Sequence, residues 1–270
     1  MNRKIEQMIQ LVHSVRPLIM DECMSHDITV KGQADFVTKV DTAVQRFLQK
    51  ELYKLYPDVQ FMGEEDHMQN VDFSKPVWIL DPVDGTTNLI YGYGHSAVSL
   101  GYYEEGHISG AVIYNPFTEE TFYAVRGQGA FFNNRPVRVT GNKALKDSLI
   151  AIGTSPYNKE MAPANFKSFQ RIFEQSLDIR RSGSAALDLA YVACGRLDGY
   201  FERNLKPWDF AAGSLILEEA GGRVTDFQLG PVDVSSNQDI IATNGWIHEE
   251  LQSLLPGLTS EDCARQRHQR

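Results

Sequence analysis

The sequence predicts an α+β fold in which layers of sheet and helix share one hydrophobic core. Three observations support this prediction. The N-terminal part contains two stretches in which apolar residues recur at helical spacing. Residues 95–139 consist of short β-rich runs separated by turn residues, which is typical of an antiparallel meander. After about residue 145, predicted strands and helices alternate without an internal repeat or a low-complexity linker.

Two amphipathic helices are predicted near the N-terminus. Residues 4–20 place apolar side chains on one helical face, which predicts one continuous helix. A second helix follows Thr38 and Asp41, which have the spacing of a capping box. Pro57 lies just beyond the end of that helix, where a residue that cannot continue it is expected.

The remaining elements follow in chain order. The runs VQFMG and PVWIL predict two strands that lead into acidic residues. The runs AVSLGYY, GAVIYN, TFYAV and GAFFN form the predicted meander. Beyond it we predict strands in SLIAIG, LDGYFE and IIATN, and helices at 161–175 and in SAALDLAYVAC, PWDFAAGSLILEEAGG and WIHEELQSLL.

The composition is that of a globular protein and excludes several classes. With 270 residues, 42% of them hydrophobic, the chain can bury a sizeable core as one domain, 1–270. An alternative is a subdivision of this domain into two parts, 1–142 and 143–259. A polar tail follows at 260–270. The formal net charge of −9 argues against a nonspecific binder of nucleic acid or of anionic membranes. Because no disulfide scaffold, zinc ribbon, signal peptide or membrane span is indicated, we expect a cytoplasmic enzyme.

Five acidic residues share one setting, at or near the end of a predicted element: Glu64, Glu65, Asp81, Asp84 and Asp209. A cluster of like charges is costly unless a counter-ion neutralises it. Hard divalent cations such as Mg²⁺ bind oxygen ligands and usually retain water and substrate phosphate. Since these motifs contain no Cys or His, they favour magnesium over zinc. Taken singly, the acids are better explained as solvated turn residues or a helix cap than as functional groups.

The segment WILDPVDGTTN (78–88) brings several functional groups close together. Pro82 stiffens the turn after the predicted strand and leaves the carbonyl of Val83 available as a neutral metal ligand. Gly85 has no side chain to hinder an approaching anion. The N–H groups of Gly85 and Thr86 would open a helix or a turn, where unpaired donors favour phosphate. Metal ligands beside phosphate donors indicate metal-assisted phosphoryl transfer.

Five segments together resemble the signatures of the inositol monophosphatase family, in family order and at family-like spacing. They are GEE at 63–65, WILDPVDGTTN at 78–88, WDFAAGSLILEEAGG at 208–222, QADFVTKVD at 33–41 and GSAALDLAYVACGRLDGYFE at 183–202. The resemblance extends from about residue 5 to 255. It implies a layered αβαβα sandwich, a homodimer, and a lithium-sensitive phosphatase that uses two to three Mg²⁺ ions per active site. The substrate would be a small phosphorylated molecule.

The resemblance also implies the metal ligands. Glu64, Asp81 and the Val83 carbonyl would bind the first ion. Asp81, Asp84 and Asp209 would bind the second ion, and Glu64 would also face a third, weaker one. The position of Val83 is often Ile in the family, but only the main-chain carbonyl is used there.

Catalytic roles are implied in the same way. The Thr86 hydroxyl, hydrogen-bonded to Asp41, would orient a metal-activated water and relay its proton. Glu65 would support a metal ligand or steady a bound water. The amides of Gly85 and Thr86 would hold the phosphate oxygens. From the residues alone, Asp41 is no more than the capping acid of its helix.

Substrate contacts are implied for a further group of residues. Glu202 would bind a sugar or inositol hydroxyl, assisted by the Ala185 backbone and the Asp84 side chain. Ser184 would enter a tight helix start and touch the substrate, and Lys31 would reach the phosphate from an N-terminal loop. For each of these residues, the alternative explanation is an ordinary structural role as a solvated or helix-capping residue.

The sequence leaves open which leaving group carries the phosphate. Arg180 and Arg181 are either a solvated strand end or the partners of a second anionic group on a larger substrate. The first hypothesis is hydrolysis of myo-inositol monophosphate. Alternatives on the same site are the 2′-phosphate of NADP(H) and fructose 1,6-bisphosphate, whereas the short chain disfavours 3′-phosphoadenosine nucleotides. From another class, a metal-sensing regulatory or interaction protein with little turnover is the rival.

Overall fold

The structure, a computed structural model, describes residues 3–32, 35–66 and 71–255. The predicted polar tail at 260–270 lies outside these ranges. The helices in the described ranges are α1 (Arg3–Ser14), α2 (Arg16–Ile19), α3 (Glu22–Ser25), α4 (Lys39–Leu55), α5 (Thr86–Ile90), α6 (Ala162–Gln175), α7 (Ala185–Ala193), α8 (Pro207–Glu219) and α9 (His248–Ser253). In this part of the chain, no helix has the length and apolar character needed to cross a membrane.

The strands fall into one hairpin and two larger sheets. They are β1 (Ile28–Gly32), β2 (Asp35–Thr38), β3 (Gln60–Gly63), β4 (Val77–Asp84), β5 (Ala97–Glu104), β6 (His107–Asn115), β7 (Glu120–Val125), β8 (Ala130–Phe132), β9 (Arg135–Val137), β10 (Leu149–Ile152), β11 (Asp178–Arg180), β12 (Gly199–Leu205), β13 (Arg223–Asp226) and β14 (Gln238–Thr243). Strands β1 and β2 pair as the hairpin. The seven strands β3 to β9 form one sheet in chain order, and the five-stranded sheet has the order β11-β10-β12-β14-β13.

Five layers stack through three apolar clusters. Helices α1 and α4 cover the outer face of the seven-stranded sheet. Helices α7 and α8 lie between the two sheets and contribute to one central core. Helices α6 and α9 cover the far face of the five-stranded sheet. The layered αβαβα sandwich is therefore confirmed.

Strand β4 is buried on both faces, which explains its uninterrupted apolar sequence. Trp78 and Leu80 point into the core under α1 and α4, whereas Val77 and Ile79 point into the central core. Successive side chains of a strand alternate between faces, so a strand covered by helices on both sides needs apolar residues at each position. The same strand runs parallel to β3 and antiparallel to β5.

The first predicted helix is wrong in one respect, because it is broken. Helix α1 ends at Ser14, and α2 begins at Arg16. Pro17 lies in the first turn of α2, where its missing N–H costs nothing. Inside a continuous helix the same proline would remove a hydrogen bond and clash with the preceding turn. The second helix, with its Thr38–Asp41 capping box, is confirmed.

The elements that the sequence did not reveal are short. Strands β9, β11 and β13 have three or four residues each, too few for a periodic pattern. The residues of β1 are all exposed, so this strand shows no alternation of buried and exposed positions. The N-terminal sheet ends at Val137 and the second begins at Leu149. The proposed subdivision near residue 142 falls in this connection and stays a prediction.

Candidate active site

A cavity of about 490 Å³ opens where the end of β4 meets α7, β12 and the start of α8. It is within the usual size range of small-molecule sites. Most of the predicted site residues lie in its wall. These are Lys31, Glu64, Asp81, Val83, Asp84, Gly85, Thr86, Ser184, Ala185, Glu202 and Asp209.

A β-bulge places both aspartates of β4 on the cavity. Asp81 pairs with Ser99 of β5, but Asp84 pairs with Ala97, so β4 carries one extra residue between these pairs. In a regular strand, residues three apart point to opposite faces. The extra residue resets this alternation, and Pro82, which has no N–H to pair, lies within the bulge. The prediction that the strand ends before Asp81 is therefore wrong, because the motif is a bulge inside it.

Three carboxylates from two distant segments form a cluster. Oxygens of Asp81, Asp84 and Asp209 all lie within 4.8 Å of one another. Asp209 enters from the first turn of α8, where its Oδ2 accepts the backbone N–H of Lys206 at 2.7 Å. Asp81 and Asp84 are buried, at 2% and 7% exposure. The fold therefore brings together an acidic cluster that the sequence spacing alone does not display.

The electrostatics of the cluster fit a bound divalent cation. Burial, together with the carboxylates of Glu64, Asp84 and Asp209, raises the pKa of Asp81 well above its ordinary value. Burial raises the pKa of Asp84 to about 6, against hydrogen bonds donated by Ser184 and the Ala186 N–H. The groups that act most strongly on Asp81 are all carboxylates, so the charge is not compensated locally. A buried donor set made only of oxygens suits Mg²⁺.

Glu64 lies beside Asp81 because β3 and β4 are parallel neighbours and pair Gly63 with Leu80. Burial raises the pKa of Glu64 to about 8, an effect that nearby Lys31 opposes. Lys31 Nζ lies 3.9 Å from Glu64 Oε1 and 2.7 Å from Glu65 Oε1. Lys31 therefore does reach the cavity, while Glu65 is not part of its wall and holds this lysine instead.

Asp41 serves its helix and the cavity at the same time. Its Oδ2 accepts the backbone N–H of Thr38 at 2.9 Å, which completes the capping box of α4. Its Oδ1 accepts the hydroxyl of Thr86 at 2.8 Å. Thr86 Oγ1 also lies 3.1 Å from the carbonyl of Val83. The capping role and the predicted pairing with Thr86 are thus compatible, since each uses a different oxygen.

Gly85 occupies a position that requires glycine. Its φ of +89° is in the left-handed region, and a Cβ there would lie 3.1 Å from the Gly183 carbonyl and 3.2 Å from that of His95. Helix α5 begins at the next residue, with the Leu89 N–H bonded to the Gly85 carbonyl. The first N–H groups of such a helix have no partner within it. The N–H groups of Gly85 and Thr86 therefore lie at the start of a helix, as their predicted role as phosphate donors requires.

Glu202 is held rigidly at the other side of the cavity. Its Oε1 accepts the backbone N–H of Ser155 at 2.8 Å, and its Oε2 accepts the hydroxyl of Tyr200 at 2.7 Å. A Cβ on Gly153 would overlap the Glu202 carboxylate, so the absence of a side chain at 153 makes room for it. Burial raises the pKa of Glu202 despite these hydrogen bonds.

Ser184 and the start of α7 are engaged with Asp84. The Ser184 hydroxyl donates to Asp84 Oδ2, which also accepts the Ala186 N–H at 2.9 Å. Ser184 Oγ in turn accepts the Leu187 N–H at 3.3 Å as the cap of α7. These contacts orient Asp84, and the predicted contacts of Ser184 and Ala185 with substrate stay predictions.

Some residues of the site were not predicted from the sequence. Asp188 is 3% exposed, lines the cavity and accepts the Ser182 hydroxyl at 2.6 Å. The available signal was a single acid in the otherwise apolar run SAALDLAYVAC. The two arginines separate, because Arg180 pairs with Asp178 outside the cavity whereas Arg181 lines it.

Known proteins resemble the chain over most of its length. A model described as the inositol monophosphatase family matches residues 2–260. The Nus factor SuhB of Xylella fastidiosa is 44% identical over 198 residues, which are 73% of this chain and 71% of that protein. The inositol-1-monophosphatase of Rhizobium meliloti is 40% identical over 237 residues, 87% and 88% of the two chains. A crystal structure of the extragenic suppressor protein suhB from Bartonella henselae aligns with a TM-score of 0.88 at 37% identity, covering 94% and 98%.

Proposed function

Because the chain belongs to the inositol monophosphatase family, we propose that it is a Mg²⁺-dependent phosphomonoesterase that hydrolyses myo-inositol monophosphate to inositol and phosphate. The observation that carries the proposal is the convergence of Asp81, Asp84 and Asp209 within 4.8 Å. This cluster shares a cavity with Thr86, which donates its hydroxyl to Asp41. A buried cation-binding cluster beside an oriented hydroxyl is what metal-assisted hydrolysis requires.

We assign two to three Mg²⁺ ions to this site. Their ligands are Glu64, Asp81, Asp84, Asp209 and the carbonyl of Val83. When bound, Mg²⁺ supplies positive charge that neutralises phosphate oxygens and acidifies water. We also expect lithium to inhibit by replacing weakly held Mg²⁺.

Thr86 and Asp41 orient the attacking water in this proposal. Because Thr86 Oγ1 donates its proton to Asp41 Oδ1, its lone pairs are free to accept a hydrogen bond from water. The water oxygen forms a bond to phosphorus as the bond between phosphorus and the inositol oxygen breaks. The proton that the water loses passes through Thr86 Oγ1 to Asp41, and solvent protonates the leaving oxygen.

The other polar residues position the substrate. Gly85 and Thr86 N–H groups hold phosphate oxygens, and Glu202 accepts a hydrogen bond from a hydroxyl of the leaving group. Glu65 acts through Lys31. The Glu65 carboxylate binds the Lys31 ammonium at 2.7 Å and holds it near the cavity wall. These roles involve only the phosphate and one hydroxyl of the leaving group. Fructose 1,6-bisphosphate and the 2′-phosphate of NADP(H) are therefore alternative substrates of the same residues.

A regulatory or interaction protein with little turnover is the second candidate. The observation in its favour is that a relative 44% identical to this chain is named a Nus factor. Against it, the three-carboxylate cluster and the Thr86–Asp41 pair are both intact. A metal-sensing protein with little turnover would need the carboxylates but would have no need of the Thr86–Asp41 pair.

Phosphate release from inositol 1-phosphate tests the proposal. We expect release by the wild type with Mg²⁺, and a loss of at least about a hundredfold in EDTA or in Asp209→Asn, because one ligand charge is removed. Asp147→Asn, an exposed aspartate outside the cavity, is the matched control and should keep wild-type activity. Equal and negligible release from wild type and Asp209→Asn would favour the second candidate.

We also propose a homodimer that uses the outer face of α6. Phe166, Phe173 and Leu177 are 65%, 54% and 66% exposed, and the first two are seven residues apart, so they share a helical face. Sedimentation of the wild type at two concentrations should show a dimer, and Phe173→Ser should weaken it. Tyr53→Ser, which removes a 66% exposed ring on α4, is the control. A wild-type monomer at both concentrations would contradict this proposal.

A further inference from the structure

One acid of the active-site cavity has no part in the proposed mechanism. Asp188 is 3% exposed and lines the same cavity as the carboxylate cluster. Aspartate is almost never buried to this degree unless it is paired, because water solvates its charge so well. The burial of Asp188 therefore needs compensating contacts.

In the described part of the chain, only one of the two carboxyl oxygens of Asp188 has such a contact. Its Oδ2 accepts the hydroxyl of Ser182 at 2.6 Å, whereas Oδ1 has no hydrogen-bond partner there. Nor is Oδ1 one of the polar atoms that are sealed without a partner in the described interior. Because Asp188 lines the cavity, this oxygen is open to a ligand in it.

The carboxyl points toward the predicted position of the leaving group. Asp188 lies one turn along α7 from Ser184, the cap of that helix, and the side chains of a helix lean toward its start. The bond from Ser182, which precedes the helix, agrees with this direction. The start of α7 is where Ser184 and the Ala185 backbone are predicted to contact the substrate.

Two other carboxylates lie near enough to act on Asp188. Burial raises the pKa of Asp188 well above its ordinary value, against the bond from Ser182. The charges of Glu202 and Asp84 raise this pKa further. Glu202 is the predicted partner of one hydroxyl of the leaving group, and it lines the same cavity. Asp188 is therefore close to the space that a leaving group next to Glu202 would fill.

The surroundings of Asp188 suit a hydroxyl group better than an ion. In the described ranges, the carboxylates grouped closely enough to hold a metal ion do not include Asp188. Among the charges that act on Asp188, only that of Arg181 is positive, and its effect is smaller than those of the two carboxylates, which disfavours an anion. A hydroxyl both donates and accepts, so it can pair with a carboxyl oxygen in either protonation state.

From this geometry, and resting on the proposed phosphatase function, we infer that Asp188 is a specificity-determining residue that binds a second hydroxyl of the leaving group. Glu202 binds one hydroxyl and Asp188 Oδ1 binds another, so the site selects phosphate esters of polyols over esters of simple alcohols. Asp188 contacts neither the phosphorus nor the attacking water in this proposal. Its loss should therefore change which esters are hydrolysed, because a site built to bond a hydroxyl discriminates against an analogue that lacks it.

Two esters built on the same ring test this role. Inositol 1-phosphate carries free ring hydroxyls, whereas cyclohexyl phosphate carries none. Asp188→Leu keeps the approximate size of the side chain without its polar atoms. We expect it to lower kcat/KM for inositol 1-phosphate about tenfold more than for cyclohexyl phosphate. Asp188→Asn retains hydrogen-bonding atoms and should restore most of the preference for inositol 1-phosphate.

Ser182→Ala separates this role from a structural one. It removes the bond to Asp188 Oδ2 but changes no residue of the cavity wall, so the ratio of the two kcat/KM values should stay that of the wild type. Equal losses on both esters in Asp188→Leu, or an unchanged ratio, would overturn the inference and leave the phosphatase in place. Asp188→Ala provides the same comparison if Asp188→Leu does not fold.

Failure of the proposed function gives a different result. No phosphate release from either ester by the wild type would count against the phosphatase itself. Calorimetry of inositol 1-phosphate binding to the Mg²⁺-loaded protein would then test the hydroxyl contact alone. The inference requires weaker binding by Asp188→Leu than by wild type and Ser182→Ala, and equal binding by all three would overturn it.

Discussion

At the scale of single residues, the site depends on small side chains as much as on acidic ones. Gly153 leaves the space that the Glu202 carboxylate fills, and Gly85 allows two backbone segments to approach each other. Gly63 likewise makes room for the amide of Gln45, whose Oε1 accepts the Glu65 N–H at 3.0 Å. These contacts hold the acids in place before any ligand binds, which is the preorganisation that catalysis needs.

Gly153→Ala tests this dependence. The new methyl group would overlap the Glu202 carboxylate, so we expect the carboxylate to move and KM for inositol 1-phosphate to rise about tenfold. The strain should also lower the free energy of unfolding by about 1–3 kcal/mol. Steady-state kinetics and urea denaturation measure the two effects. Gly141→Ala is the control, because a Cβ at 141 meets no atom within 4 Å of the described structure; an unchanged KM in Gly153→Ala would refute the role of Gly153.

At the scale of elements, the site depends on close packing between α7 and α8. Helix α8 carries Asp209, and α7 orients Asp84 through Ser184 and the Ala186 N–H. The two helices lie together between the sheets, and Gly213 of α8 faces Leu189 of α7. A movement of either helix would therefore separate two of the three clustered carboxylates.

Gly213→Ala tests the packing of these helices. Alanine improves helix propensity by about 1 kcal/mol, but its Cβ would lie 2.6 Å from Leu189 Cβ. Overpacking costs about 1–3 kcal/mol, so we expect a net loss of stability in urea denaturation. In a Leu189→Ala background the same substitution should cost less, since the obstructing side chain is gone. A stabilised Gly213→Ala protein would show that the helices can move apart freely.

At the scale of the whole molecule, a chain with an excess of acidic residues places several carboxylates close together in one site, where burial and mutual repulsion disfavour their charged forms. The net charge is −9, and Asp81 and Asp84 are buried next to each other in the carboxylate cluster. Burial and mutual repulsion raise the pKa of Glu64 to about 8 and that of Asp84 to about 6, from ordinary values of 4.5 and 3.8. Without metal, the folded protein therefore binds more protons than the unfolded chain between about pH 4, where these carboxylates titrate in the unfolded chain, and about pH 8.

The stability of the metal-free protein should consequently fall with rising pH. A raised folded-state pKa favours folding below the unfolded-state pKa, near 4, and this advantage is lost as pH passes through about 6 and then 8. In EDTA we expect a lower Tm at pH 8 than at pH 5, and Mg²⁺ should raise Tm more at pH 8. Thermal unfolding of wild type and of Asp209→Asn, whose pH dependence should be shallower, provides the measurement. A Tm in EDTA that rises toward pH 8 would contradict the electrostatic account.

Local patterns in the sequence were reliable where they reflect local physics. The capping box of α4, the buried strand β4 and the meander follow from periodicity and turn chemistry within a few residues. Short or fully exposed strands, such as β11 and β1, have no such pattern and were missed. Pro17 was a local signal that the spacing of its apolar neighbours concealed, and it broke the predicted helix.

The sequence by itself predicted the kind of chemistry, because side chains fix which ions and groups can bind. The acids of GEE and DPVDGTTN, with Asp209, predict Mg²⁺ and phosphate without any coordinates. Only the tertiary structure decided which groups meet. The bulge turned Asp81 and Asp84 to one side, and α8 brought Asp209 within 4.8 Å of them. The contact between Asp209 and the two aspartates of β4 joins segments more than a hundred residues apart, and its geometry depends on how the layers pack, which no local pattern records.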